Sequence, residues 1–350
     1  MRHVRNSMDL RPRSVDLSKV PDRFLGCVPS VSPEMPFVPR LSLIVPFQRN
    51  ESALETTLVS ILESRTSQDE LIIVHAGDYE DPYELSRDEA VVLETEQNSS
   101  LAERLNLAVR TACSPVVQVV LPGTILEPDW SEESLSILED DSIHAVSLAI
   151  RDATAERIIY GFDETQLPHR RLATSPDAIA GPLLAGTMIR RRSLLKLGGW
   201  SELISESLID LELAMLMRTI GLQTDVVPTP RMERDLKTAA NAGSPFEIGK
   251  GCGILACAYS ELPDSHIMIE PLVRRLGHLA WGLMNPQAAA ERLGWVLGVR
   301  DRSLVHYIAQ RVDFSQHAFD APVSLPISAT AVTEGHSEME YGPTKQRKAA

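Results

Sequence analysis

The chain has 350 residues, 43% of them hydrophobic and 23% charged, with a formal net charge of −14. That length and apolar share suffice for one large core or for two. The acidic balance argues against general affinity for nucleic acid or for an anionic membrane surface.

No stretch reaches the roughly 18 uninterrupted apolar residues of a membrane-spanning helix. The four cysteines (Cys27, Cys113, Cys252 and Cys257) match no common zinc or redox spacing and suit a reduced, cytoplasmic protein. The opening "MRHVRNSMDLRPRS" is basic without an apolar run behind it, which is not the pattern of a secretory signal.

Residues 1–39 are rich in Arg, Pro and Ser and show no apolar period, so they read as a flexible arm. "LSLIVPF" (41–47) has the composition of a buried strand, and Leu54, Leu58, Ile61 and Leu62 then mark one face of a helix. "ELIIVHAG" (70–77) and "AVVLET" (90–95) predict two more strands. Ser100 and Glu103 form a capping box ahead of a helix carrying Leu101, Leu105, Ala108 and Ala112 on one side. "PVVQVVL" (115–121) predicts a further strand, and Pro128 suits the first position of another helix. Residues 236–318 read as a mainly helical extension and 319–350 as a flexible tail. Within the extension, Leu272, Leu276, Leu279 and Leu283 share a face, expected to pack on the main domain rather than lie on a membrane surface.

This alternation predicts an α/β fold, a mostly parallel central sheet with helices on both faces. Such sheets bind ligands beyond the carboxyl ends of their strands. The loops after residues 46, 74 and 121 are therefore the candidate site.

Five segments, in order, resemble the family 2 glycosyltransferases, which have the glycosyltransferase A fold. They are "LSLIVPFQRNESALETTLVSIL", "DELIIVHAG", "NSSLAERLNLAVRTACSPVVQVVLPGTILEPDW", "GTMIRRRSLLKLGGWSE" and "SLIDLELAMLMRTIGLQTDVVP". The resemblance spans about residues 40–230 and implies a nucleotide-sugar-binding domain over 40–235. It also implies a nucleotide-sugar donor and a sugar, lipid or protein acceptor.

Transfer from such a donor needs a counter-charge for the leaving diphosphate, a general base and a nucleoside pocket. The family's counter-charge is a divalent cation held by a D-x-D motif, and here that window reads Pro122, Gly123 and Thr124. A threonine hydroxyl does not replace two carboxylates, so Mg²⁺ or Mn²⁺ is not expected at this position. Glu127 and Asp129 match helix-start residues of the family rather than metal ligands.

The resemblance assigns nucleotide contacts to Pro46, His75, Asp78 and Thr124, with His75 where the family carries an aspartate. It assigns the base to Asp210, whose usual Glu neighbour is Ile209, with Glu206 the nearest other acid. Candidate phosphate ligands are Arg190 and Arg192, with "HRR" at 169–171, Arg104 and Lys250 as further cations. Two readings remain: a transferase working without the D-x-D metal, and an inactive descendant kept as a binding or assembly module.

Overall fold

Strand β1 (Leu41–Pro46) alternates its buried side chains between two cores. Leu41, Leu43 and Val45 join one hydrophobic cluster and Ile44 the other, as the two-residue period of a strand requires. A strand buried on both faces belongs in the middle of a covered sheet, and the computed structural model places it there. It describes residues 38–48, 50–77, 79–81, 84–85, 89–236, 243–260 and 285–320. The arm up to residue 37, the tail from 321, Asp78 and the leucine-bearing segment 272–283 lie outside the described residues.

Helix α1 (Glu51–Ser64) follows β1, capped by Asn50, whose side chain accepts the Ala53 N–H at 3.1 Å. Its Leu54, Leu58 and Ile61 are buried on the Leu41–Leu43–Val45 side. Strands β2 (Asp69–His75) and β3 (Val91–Glu94) come next, then helix α2 (Leu101–Thr111). Its capping box is complete: Ser100 Oγ accepts from Glu103 N at 3.2 Å, and Glu103 Oε2 accepts from Ser100 N at 2.6 Å. Such a cap is worth about 1 kcal/mol. Leu101, Leu105 and Ala108 pack on the opposite sheet face from α1, beside Ile44 and Val74.

The chain continues through β4 (Val116–Val119), β5 (Thr124–Leu126) and α3 (Glu132–Ile137), then β6 (Ile143–Asp152) and β7 (Arg157–Ile159). The expected helix start at Pro128 is instead a turn, with Asp129 at φ 57°, and α3 begins at Glu132. Strands β8 (Gly161–Asp163), β9 (Leu172–Ala173) and β10 (Ile179–Gly181) form a small antiparallel sheet. Strand β11 (Thr187–Arg190), α4 (Arg191–Lys196), α5 (Ile209–Thr219) and β12 (Gln223–Arg234) complete this part.

The main sheet of the described residues has nine strands in the order β3-β2-β1-β4-β11-β6-β12-β5, with β7 beside β6. β3, β2, β1 and β4 are parallel neighbours, and so are β6 and β12. β11, β5 and β7 run against them. This is the expected mostly parallel sheet with helices on both faces.

Three helices form the C-terminal addition, α6 (Pro245–Ser260), α7 (Pro286–Gly298) and α8 (Arg302–Asp320). The "GKGCG" segment lies inside α6, where its glycines let α7 come into backbone contact. A Cβ on Gly249 would sit 1.8 Å from Glu291 O, and one on Gly294 would sit 2.0 Å from Phe246 O. No helix among the described residues is long and apolar enough to cross a membrane.

Candidate functional site

Beyond the carboxyl ends of β1 and β4 lies a cleft of about 410 Å³, within the usual range for small-molecule sites. Its walls come from Gln48 and Asn50 after β1, Leu121–Gly123 after β4, Leu183–Ala185 before β11, and Asp210 on α5. Arg170, Glu206 and the end of β12 close the rest.

The turn after β4 is tight. Thr124 N donates to Leu121 O at 3.1 Å, and Gly123 has φ +86°. Proline at the second position and a positive-φ glycine at the third define a type II turn. Helix α1 holds it in place. Ala53 O accepts the Gly123 N–H at 2.9 Å, and Thr57 Oγ1 accepts from Gly123 N and Thr124 N at 2.8 and 3.1 Å. The same hydroxyl donates to Thr124 O at 3.0 Å.

Against this turn rests a side chain that the sequence reading did not single out. β12 pairs antiparallel with β5, placing Arg234 opposite Thr124. Arg234 Nη1 donates to Leu121 O at 2.8 Å, Pro122 O at 2.6 Å and Thr124 Oγ1 at 2.9 Å. Thr124 thus spends its hydroxyl on a cation of the protein. Burial pushes the Arg234 guanidinium down to about 10, with Asp235 acting the other way, so it remains charged at neutral pH. The available signal was parity: Met232 and Arg234 are both buried on β12, an inward-facing parity in which arginine is costly.

Asp210 stands in the first turn of α5 and is only 8% exposed. Its Oδ1 accepts from Leu211 N at 2.9 Å, its Oδ2 from Leu184 N at 3.4 Å, and Arg170 Nη2 lies 3.8 Å from that Oδ2. Glu206, on the same rim, accepts the Leu101 N–H at 2.6 Å and so caps α2. The Gly198-Gly199-Trp200 turn before α5 is fixed from α2. Asn106 Oδ1 accepts from Trp200 N at 2.8 Å and Asn106 Nδ2 donates to Trp200 O at 2.9 Å.

The remaining candidates are placed elsewhere. Pro46 ends β1 in full burial and does not line the cleft. His75, also off the cleft wall, accepts from Gly77 N through Nδ1 at 3.1 Å, and its ring lies 5.5 Å from that of Tyr79.

Arg190 and Arg192 are not brought to the cleft. β11 runs antiparallel to β4 and sets Arg190 beside Val116, at the amino end of β4, while the cleft lies past its carboxyl end. Arg190 donates to the carbonyls of Ile143, Leu138 and Asp140, and Arg192 pairs with Asp141 at 2.9 Å. Arg190 ends β11, whereas Arg192 already lies on α4, which begins at Arg191. Arg104 donates to Phe47 O at 2.6 Å, and Lys250 pairs with Asp301 at 3.2 Å. Glu127 is half-buried and lies 3.9 Å from Arg151. Of the cations named from sequence, Arg170 lines the cleft.

Whether the turn suits a divalent ion is decided by its donors. It offers no carboxylate, and its Leu121 and Pro122 carbonyls and Thr124 hydroxyl already accept from Arg234. Among the described residues no group of three His, Cys, Asp or Glu side chains is arranged to hold a metal. The residues present do not fit the ion.

No protein family's model matches the chain, and no curated protein matches it. Solved structures do. The mannosyltransferase PcManGT from Pyrobaculum calidifontis, in complex with GDP-Man and Mn²⁺, aligns with a TM-score of 0.48 and 16% identity over 81% of this chain and 87% of that one. TarS from S. aureus aligns with a TM-score of 0.49 and 14% identity over 80% of this chain, which spans about half of that chain (54%). TarS 1–349 gives 0.48 and 13%, over 80% and 90% of the two chains. These similarities are too distant to carry a ligand or an activity over to this chain.

Proposed function

We propose that this cleft binds a nucleotide-sugar donor and that the protein transfers the sugar to a hydroxyl of a sugar, lipid or protein acceptor. The observation that carries the reading is the meeting of Asp210 with the turn after β4 in one cleft, beyond the carboxyl ends of the parallel strands. That is where α/β sheets bind their ligands. The family 2 resemblance, with its Asp210 and its Gly-Gly-Trp turn, supports the same assignment.

In this reading the acceptor oxygen bonds to the anomeric carbon as the bond from that carbon to the diphosphate oxygen breaks. The electron pair leaves on the diphosphate and the acceptor proton passes to Asp210 Oδ2. A base so placed contributes on the order of 10²–10⁴ in rate. Arg170, 3.8 Å from that oxygen, orients the carboxylate.

One observation favours the rival reading, a cleft that binds without chemistry. Asp210 already accepts two backbone N–H bonds besides its ion pair. A thermal-shift panel of UDP, GDP and dTDP sugars, with and without Mn²⁺, tests whether a donor binds. Ligand at about 100 times its Kd stabilises a protein by about 2.7 kcal/mol. Stabilisation by one nucleotide class supports the donor cleft, and no response from any of them removes it.

A further inference from the structure

We propose that Arg234 supplies the positive charge that receives the donor's diphosphate, so that this cleft binds its ligand without a divalent cation. The inference rests on the donor-cleft reading and names the group that does the neutralising there.

Three observations carry it. First, Arg234 occupies three oxygens of the turn, the Leu121 and Pro122 carbonyls and the Thr124 hydroxyl. A divalent ion seated there would face a fixed guanidinium and no compensating carboxylate on the turn. Second, the guanidinium is buried with three neutral oxygens as its hydrogen-bond acceptors, and Asp235 is a carboxylate that acts on its charge. Arg234 is 7% exposed, and its Nε is buried with no hydrogen-bond partner among the described residues. A buried charge whose hydrogen bonds go to neutral oxygens is stabilised further by an anion entering the cleft. Third, Arg170 lines the same cleft, and its own Nε is buried without a hydrogen-bond partner among the described residues. Two guanidinium groups around one cleft suit a diphosphate, whose oxygens accept charge-assisted N–H bonds.

The cleft also carries Asp210, Glu206 and Asp235. Glu206 accepts the α2 N-terminal N–H, Asp210 faces Arg170, and Asp235 is reached by Thr154 Oγ1 at 3.4 Å. The side chain stationed on the turn itself is cationic.

Isothermal titration of the full chain with inorganic pyrophosphate, UDP and GDP, in EDTA and then in Mn²⁺, tests the assignment. Wild-type protein is expected to bind pyrophosphate and one nucleoside diphosphate in EDTA, with affinity unchanged by Mn²⁺. Arg234→Gln should weaken both by roughly ten- to a hundred-fold, as loss of a hydrogen bond from a charged donor does. Arg234→Lys, which keeps the charge and loses the fork, should fall between. Binding that requires Mn²⁺ in the wild type overturns the inference while leaving the donor cleft standing, and this arm needs no variant to fold. Wild-type affinity in a folded Arg234→Gln protein does the same. Arg234-dependent binding of pyrophosphate with no binding of any nucleotide keeps the anion site and removes the donor reading. Binding of neither removes both.

Discussion

Arg311 on α8 and Glu212 on α5 form an ion pair at 3.0 Å, with both side chains almost wholly withdrawn from solvent. Arg311 also donates to Gly199 O, in the glycine turn that Asn106 grips from the other side. Glu212 lies two residues beyond Asp210 on α5. The C-terminal helix is therefore fastened to the scaffold that positions the cleft wall.

Removing one partner of this pair strands the other in the core. Burial pushes the Glu212 carboxyl up, and Arg311 opposes that shift. Arg311→Met is expected to destabilise the protein by about 3–5 kcal/mol, and the double variant Arg311→Met with Glu212→Leu by clearly less. Urea unfolding of the two proteins checks this; equal losses would show that the pair is not what holds α8.

The glycines of α6 and α7 make a second prediction. A Cβ at Gly253 would lie 2.3 Å from Trp295 O, and one at Gly298 would lie 2.0 Å from Lys250 O. The obstruction is backbone, which does not rotate aside as a side chain does. Gly253→Ala should cost about 1–3 kcal/mol through forced separation of the helices, despite alanine's higher helix propensity. A melting temperature at or above the wild-type value would contradict the close approach.

Asp152, at the end of β6, gives a pH dependence. Burial alone would raise its pKa, but bonds from Thr154 Oγ1 at 2.9 Å and Thr154 N at 3.2 Å, then Arg157, outweigh burial and hold it below the usual carboxylate range. A depressed folded value means that its stabilisation is full above the unfolded value, about 3.9. It is lost as pH falls through the lower folded value. Asp152→Asn should lower stability at pH 7 and flatten the acid limb below about pH 4. An acid limb as steep as that of the wild type would show that Asp152 does not titrate this way.

The sequence made the sheet and its flanking helices legible because their signals are local. β1 and β2 are short apolar runs, α1 repeats its leucines on one face, and α2 carries its own capping box. The turn after β4 has a local signal of the same kind, a proline followed by a glycine. What could not be read locally was direction and pairing. Arg190 lies beside the strand motif, yet β11 runs antiparallel and delivers it to the amino end of β4, away from the cleft. Arg234 lies at the end of a twelve-residue strand interrupted by two register shifts, past the point where the resemblance stops. Only the pairing of β12 with β5 brings it to Thr124. "GKGCG" likewise acquires its meaning from α7, more than 30 residues away.

Asp210 is expected to act on a bound donor. With the nucleotide sugar that most stabilises the protein, the release of nucleoside diphosphate into water is measured in EDTA for wild type and Asp210→Asn. The prediction is metal-free turnover by the wild type, and an Asp210→Asn protein that binds the donor equally well but releases product roughly a hundredfold more slowly or worse. Equal turnover by the two proteins, or turnover that appears only when Mn²⁺ is added, would contradict it.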